Sequence, residues 1–324
     1  MFATALPQGL NDPVRQVRNM PPTRPVGRDG STVLNPLTHR LTAIPCDRRD
    51  LCASKPYARM GTRRKGAKVM FDPADFRLDG QVAVITGAGA GIGRAIAETF
   101  AAAGAAVIVS DLNRDAADAV VEAIEAQGHT AVGMACDVTI EADLVRLVQG
   151  ATDHFGKLTI LVSNAGGGGP KPFDMPMHDF RRAFDLNVFS LFRLAQIAAP
   201  EMDKAGGGTM LAITSMAGDN RNRRMASYGA SKAAANHLIR NIAFDLGPMN
   251  IRVNGIAPGA TRTEALESVL SDAIEDRMLM HTPIRRLGEP QDIANAALFL
   301  SSAAASWISG QILTVSGGGV QELD

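Results

Sequence analysis

The sequence predicts an α/β fold, a single doubly wound domain built on a parallel sheet of about seven strands. Three observations predict it. From residue 80 onward, short apolar runs alternate with longer amphipathic stretches. The apolar runs show no in/out alternation, which is how strands buried on both faces read. The first two amphipathic stretches close on glycine, a common helix terminator.

Each element follows in order. "VAVIT" (82–86) is the first strand and "GIGRAIAETFAAAG" (91–104) a helix closed by Gly104. "AAVIVSD" (105–111) is the second strand, and "RDAADAVVEAIEAQG" the helix ending at Gly128. "TAVGMACDV", "EADLVRLVQGATDHFG" and "KLTILVSNAG" continue the alternation. "TMLAITS", "IRVNGIAPG" and "QILTVSG" are the later strands, with helices over 187–205, 226–247 and 290–301. Helices between parallel strands cover both faces of the sheet.

Length alone suggests about two domains. The first 69 residues remove that need. They hold eight of the seventeen prolines, ten arginines and three lysines against four acidic residues, without apolar periodicity. Residues 1–69 therefore read as a disordered basic extension rich in Pro and Arg, and 70–324 as the folded domain. The extension has three readings: Met70 is the true start, the segment is an Arg-rich transit peptide, or it is a flexible basic arm for an anionic partner. It carries nine net positive charges, leaving the body with twenty cationic and twenty-nine acidic residues. A body nine charges negative argues against nucleic acid as its partner. No apolar run is long enough to span a bilayer and no secretory signal precedes the domain, so the expected compartment is cytoplasmic. Cys46, Cys52 and Cys136 form no CxxC pair, and none of the six histidines pairs with a second ligand at helical or hairpin spacing. Neither a disulfide framework nor a metal site is expected, and Cys136 reads as a small buried residue at a strand end.

In a doubly wound sheet ligands bind outside the carboxyl ends of the strands. After the first strand, Thr86 leads into Gly87, Ala88, Gly89, Ala90, Gly91, Ile92 and Gly93. Such glycines allow a tight turn and a close approach of pyrophosphate to the amides at the following helix start. The second strand ends in Asp111, whose carboxylate can accept from the ribose hydroxyls of adenosine and repels a 2′-phosphate. Ala90 supplies no cation for such a phosphate, so NAD is expected rather than NADP. Asp137 and Val138 end the third strand where an adenine would lie; an Asp there also serves as a turn former or helix cap.

Thr86-Gly87-x-x-x-Gly91-x-Gly93, Asn164-Ala165-Gly166, Ser215 and Tyr228-x-x-x-Lys232 together resemble the short-chain dehydrogenase/reductase family, from about residue 78 to the C-terminus. Interconverting an alcohol and a ketone moves a hydride and a proton. A free tyrosine, with a pKa of about 10, is a weak base at neutral pH, and a fixed ammonium favours its phenolate. Lys232, one helical turn beyond Tyr228, is expected to supply that charge. Ser215 can orient the substrate oxygen. The resemblance further implies that Lys232 holds the nicotinamide ribose and that Asn187 anchors a water in the proton relay. It also implies that Asn164, Gly166, Pro258, Gly259, Thr261 and Thr263 line the coenzyme.

Longer stretches, among them "NAGGGGPKPFDMPMHDFRRAFDLNVFS" and "HTPIRRLGEPQDIANAALFL", resemble the bile-acid branch of that family. Its members are NAD-dependent and oxidise a 7α-hydroxyl to a 7-oxo group. The segment 262–281, with Leu266, Leu270, Met278, Leu279 and Met280, reads as a lid over a large apolar substrate, or as helices packed on the core or on another subunit. Arg221, Arg223 and Arg224 read either as partners for a bile acid carboxylate or as solvated loop charge. Ala230, Ala233, Ala234 and Ala235 allow close helix packing; related enzymes imply a homotetramer, with a dimer as alternative. Two other functions stay open: a different secondary alcohol or ketone, such as a 3-oxoacyl thioester or sugar, and a non-catalytic NAD-binding regulator.

Overall fold

The computed structural model describes residues 72–318. The basic extension, with Cys46, Cys52 and Met70, lies outside the described residues. Seven strands form one sheet: β1 (Val82–Thr86), β2 (Ala106–Asp111), β3 (Ala131–Ala135), β4 (Ile160–Ser163), β5 (Gly208–Ile213), β6 (Ile251–Pro258) and β7 (Ile312–Val315). Their order is β3-β2-β1-β4-β5-β6-β7, and every neighbouring pair is parallel. This is the expected doubly wound, Rossmann-type domain.

The connecting helices are α1 (Gly91–Ala102), α2 (Arg114–Glu125), α3 (Glu141–Phe155), α4 (Met177–Phe184), α5 (Ser190–Lys204), α6 (Ala226–Leu246), α7 (Glu264–Glu267), α8 (Asp272–Met280) and α9 (Pro290–Ser301). Local chemistry sets their ends. Asn113 caps α2 by accepting from the amides of Asp115 and Ala116. Gly156 ends α3 in the left-handed region. Glu289 and Asp292 form a reciprocal capping box around Pro290 at the start of α9.

Successive strand residues point to opposite faces, so the core has two halves. Ala83, Ile85, Val107 and Val109 pack with Ile96 and Phe100 of α1, Ile124 of α2 and Ile293 of α9. Val82, Val84 and Ile108 pack with Leu144 and Leu147 of α3, Leu194 and Met202 of α5, and Ile239 of α6. Phe100 is fully buried; truncating such a ring to alanine costs roughly 3–5 kcal/mol.

The helix expected over 187–205 begins earlier. α4 precedes it, and a π-turn at Asp185–Phe189 joins α4 to α5. α4 buries no residue; Phe180 and Phe184 stack on each other with centroids 5.4 Å apart. Phe180, Ala183 and Phe184 recur at helical spacing, on a helix that lies against α6.

Candidate active site

The strand order reverses between β1 and β4, and it is outside the carboxyl ends of the strands at such a switch point that doubly wound sheets bind ligands. Gly87, at φ 62°, turns the chain out of β1; a Cβ on it would stand 2.9 Å from Ala165 Cα. A Cβ on Gly93 would overlap the Gly87 carbonyl, so α1 sits closer to the loop than any side chain permits. The two loops are laced together. Asn164 Nδ2 donates to the carbonyls of Thr86 (3.0 Å) and Gly87 (2.8 Å), while Thr86 Oγ1 accepts from the amides of Asn164 (3.1 Å) and Ala165 (3.0 Å). Sequence reasoning passed over Thr86 as a partner; its signal is a hydroxyl ending an otherwise apolar strand.

Gly91, Ile92 and Gly93 open α1, where Ala90 gives no side-chain cap and the first turn holds no acid. The first amides of a helix lack intrahelical acceptors and favour an anion. Asp111 lies across this loop, half-exposed, accepting from Gly89 N and Asn113 N at 3.0 Å each. Pro258 ends β6, Gly259 N donates to Val315 O (2.9 Å), and the buried Thr261 donates to Gly259 O (3.1 Å). Thr263 caps α7 and brings its methyl against Gly91. Glycine at 166 lets its backbone slip between Asn187 Oδ1 and Lys232 Nζ, 2.8 and 3.1 Å from where a Cβ would be. These residues fit a nicotinamide dinucleotide: uncapped amides for its phosphates, a carboxylate for a ribose diol, and a lysine beyond for the second ribose. Asp137 takes its turn-forming reading, accepting from the amide (2.9 Å) and hydroxyl (2.7 Å) of Thr139, with Val138 buried beside it.

Ser215 follows β5. Its Oγ accepts from Ala217 N at 3.1 Å, and its hydroxyl favours the Tyr228 phenolate. Tyr228 is near the start of α6. One turn on, Lys232 is buried, with Nζ 5.8 Å from the Tyr228 ring centroid and donating to Ile213 O at 3.0 Å. Burial lowers the Lys232 pKa to about 8. For Tyr228, burial pushes the phenol pKa up and the Ser215 hydroxyl opposes it. The net shift is upward, against the expected acidification: desolvation of the phenol outweighs the influence of Ser215.

Asn187 is buried in the π-turn. It accepts from Gly167 N (3.0 Å) and donates from Nδ2 to Gly167 O (2.9 Å) and Ser231 Oγ (3.0 Å). Ser231, fully buried, donates in turn to Tyr228 O at 2.8 Å. Sequence reasoning missed Ser231. π-turns concentrate at functional sites, and here one inserts the amide that ties the loop after β4 to α6. Arg221 and Arg224 line a cleft of about 410 Å³ with Lys171 and Phe173; Arg223 is exposed outside that lining. Within 262–281, Leu266, Leu270, Met278 and Leu279 are half-buried and Met280 is exposed. Arg262 joins α7 to α8 through Glu267 and Glu275, 2.7 Å each. Among the described residues no cluster of three or more His, Cys, Asp or Glu could hold a metal ion, and no helix is long and apolar enough to cross a membrane.

Residues 87–319 match the family described as enoyl-(acyl carrier protein) reductase. The 7α-hydroxysteroid dehydrogenase of Escherichia coli K12 is 66% identical over 255 residues, covering 79% of this chain and 100% of that protein. An uncharacterised oxidoreductase of Mycobacterium tuberculosis is 44% identical over 246 residues, covering 75% of this chain and 93% of that protein. A solved 7α-hydroxysteroid dehydrogenase, in complex with NADH and 7-oxo glycochenodeoxycholic acid, superposes with a TM-score of 0.77 at 66% identity, covering 79% of this chain and all of that one. With these similarities along the domain that carries the glycine loop, Ser215, Tyr228 and Lys232, the chain belongs to the short-chain dehydrogenase/reductase family.

Proposed function

We propose that this protein is an NAD-dependent dehydrogenase that oxidises the 7α-hydroxyl of bile acids or related steroids to a 7-oxo group. One observation carries the reading: Ser215, Tyr228 and Lys232 converge beside the dinucleotide site in a chain 66% identical to a 7α-hydroxysteroid dehydrogenase. When bound, oxidised nicotinamide accepts a hydride and adds a positive charge near the phenol. Gly87, Gly91, Ile92 and Gly93 cradle the phosphates, Asp111 holds the adenosine ribose, and Asp137 and Val138 border the adenine. Asn164, Gly166, Pro258, Gly259, Thr261 and Thr263 line the nicotinamide half, and Lys232 binds its ribose. Ser215 positions the substrate hydroxyl and Tyr228 removes its proton. Asn187 holds the loop after β4 and extends the relay from Lys232 through a water.

The domain spans 70–324, with the half-buried leucines and methionines of 262–281 forming the apolar wall of the substrate site. Self-association into a homotetramer is supported by large apolar side chains left in water. Trp307 is 99% and Phe244 86% exposed, on segments that meet where Gly310 approaches Ala243. We assign the enzyme to the cytoplasm, where a coenzyme-dependent dehydrogenase meets its dinucleotide. The description of the matching family favours a second reading, an acyl thioester substrate. Coupled assay of NADH formation with chenodeoxycholate, a 3-hydroxyacyl thioester and a simple secondary alcohol separates them. A 7-oxo steroid product, identified by mass spectrometry, is the expected result; turnover of the thioester alone contradicts the proposal.

A further inference from the structure

The cleft beside the α6 start has an unusual charge balance. It is lined by Lys171, Arg221 and Arg224 with no acidic residue among its described lining, on a body nine charges negative. Its remaining walls include Phe173, 97% exposed, and Met225. The cleft adjoins the reacting groups through the chain: Ala217 lies two residues beyond Ser215, and Gly229 follows Tyr228. Gly168, in the loop that leads to Lys171, packs directly on the Tyr228 ring.

Arg224 is held there at a cost. Its φ of 61° lies in the left-handed region that favours glycine, and its carbonyl is pinned by Lys171 N at 2.7 Å. The same contact sets Lys171 beside Arg224, while Lys171 Nζ reaches Asp179 at 3.2 Å outside the lining. Strained backbone that persists at a charged cleft points to use rather than accident.

We propose that Lys171 and Arg224, assisted by Arg221, form a subsite for the anionic group ending the side chain of an apolar substrate, with Phe173 and Met225 contacting the aliphatic part. This rests on the bile acid reading and adds to it: the enzyme selects acids and their anionic conjugates over neutral steroids. The Arg224 guanidinium suits a carboxylate or sulfonate, and the Lys171 ammonium, held on Asp179 at 3.2 Å, would exchange that partner for the incoming anion; neither takes part in proton transfer.

The test compares glycochenodeoxycholate with a neutral bile alcohol of the same nucleus, using NAD and the full chain. Arg224→Asn removes the charge while tolerating the left-handed backbone; Lys171→Gln is the second variant. Each is expected to raise KM for the acid about tenfold with kcat unchanged, and to leave both constants for the alcohol unchanged. Added salt raises the wild-type KM for the acid only. Equal losses for both substrates, or no change for either, overturn the subsite while leaving the dehydrogenase reading intact. A wild-type protein that oxidises neither steroid overturns the functional reading and the subsite with it.

Discussion

Lys232 Nζ stands 5.8 Å from the centre of the Tyr228 ring yet gives its hydrogen bond to Ile213 O, at the end of β5. The ammonium is therefore anchored to the sheet, and the phenol it faces can change protonation without the cation moving. Burial makes that cation costly and lowers its pKa to about 8.

Lys232→Met separates function from stability. Activity is expected to fall at least about a hundredfold, as for loss of a group in a proton relay. At pH 7 the variant should be no less stable than the wild type, because the buried charge is gone. Between about 8 and the ordinary lysine value of 10.5, the unfolded wild-type chain holds a proton that the folded chain has lost. Wild-type stability therefore rises relative to the variant across that window. Denaturant unfolding of both proteins from pH 7 to 10.5 measures this, and a gap independent of pH contradicts the burial of Lys232.

On the proposed role, Tyr228 should set the pH dependence of catalysis. Burial raises its pKa, so the protonated phenol persists to higher pH than in water. Oxidation uses the phenolate and should quicken as pH rises; reduction of the 7-oxo steroid uses the phenol and should slow. Ser215→Ala removes an influence that favours the phenolate and should move the rising, acid-side limb of kcat/KM for oxidation to higher pH. An unmoved limb dissociates Ser215 from the phenol.

Asp111→Asn keeps the shape of the β2 end and removes its charge. Discrimination between NAD and its 2′-phosphorylated form should fall about tenfold or more, read as the ratio of kcat/KM for the two coenzymes. An unchanged ratio places the ribose elsewhere.

Gly93→Ala tests the close approach of α1 to the loop after β1. Its Cβ meets a backbone carbonyl that cannot rotate away, so stability should drop by about 1–3 kcal/mol and coenzyme affinity with it. Thermal unfolding and fluorescence titration with NADH report the two effects. A variant with wild-type melting temperature and affinity contradicts the packing.

The sheet was legible because strands buried on both faces read as unbroken apolar runs, and its ends because Asp111, Ser215 and Asn164 each follow such a run. Tyr228 and Lys232 were legible from the family pattern they form with Ser215, Asn187 and the glycines; helical spacing alone shows only that they share a face. What escaped depends on contacts between distant segments. Thr86 matters through Asn164, seventy-eight residues away, and Ser231 through Asn187, forty-four residues away. Lys171 gains meaning only beside Arg224. α4 runs through the π-turn into α5, so the helical stretch starts at Met177, ahead of the expected 187. The rise in the Tyr228 pKa escaped because desolvation is a property of the packed environment, and spacing records only the neighbouring charge.

Single-turnover NADH formation by Tyr228→Phe with saturating NAD and chenodeoxycholate is the most direct measurement. Loss of the phenol's proton chemistry should slow the step by about 10²–10⁴-fold, with NADH affinity and unfolding midpoint close to wild type. A variant that forms NADH and 7-oxo product at the wild-type rate contradicts the role of Tyr228 as the acid/base.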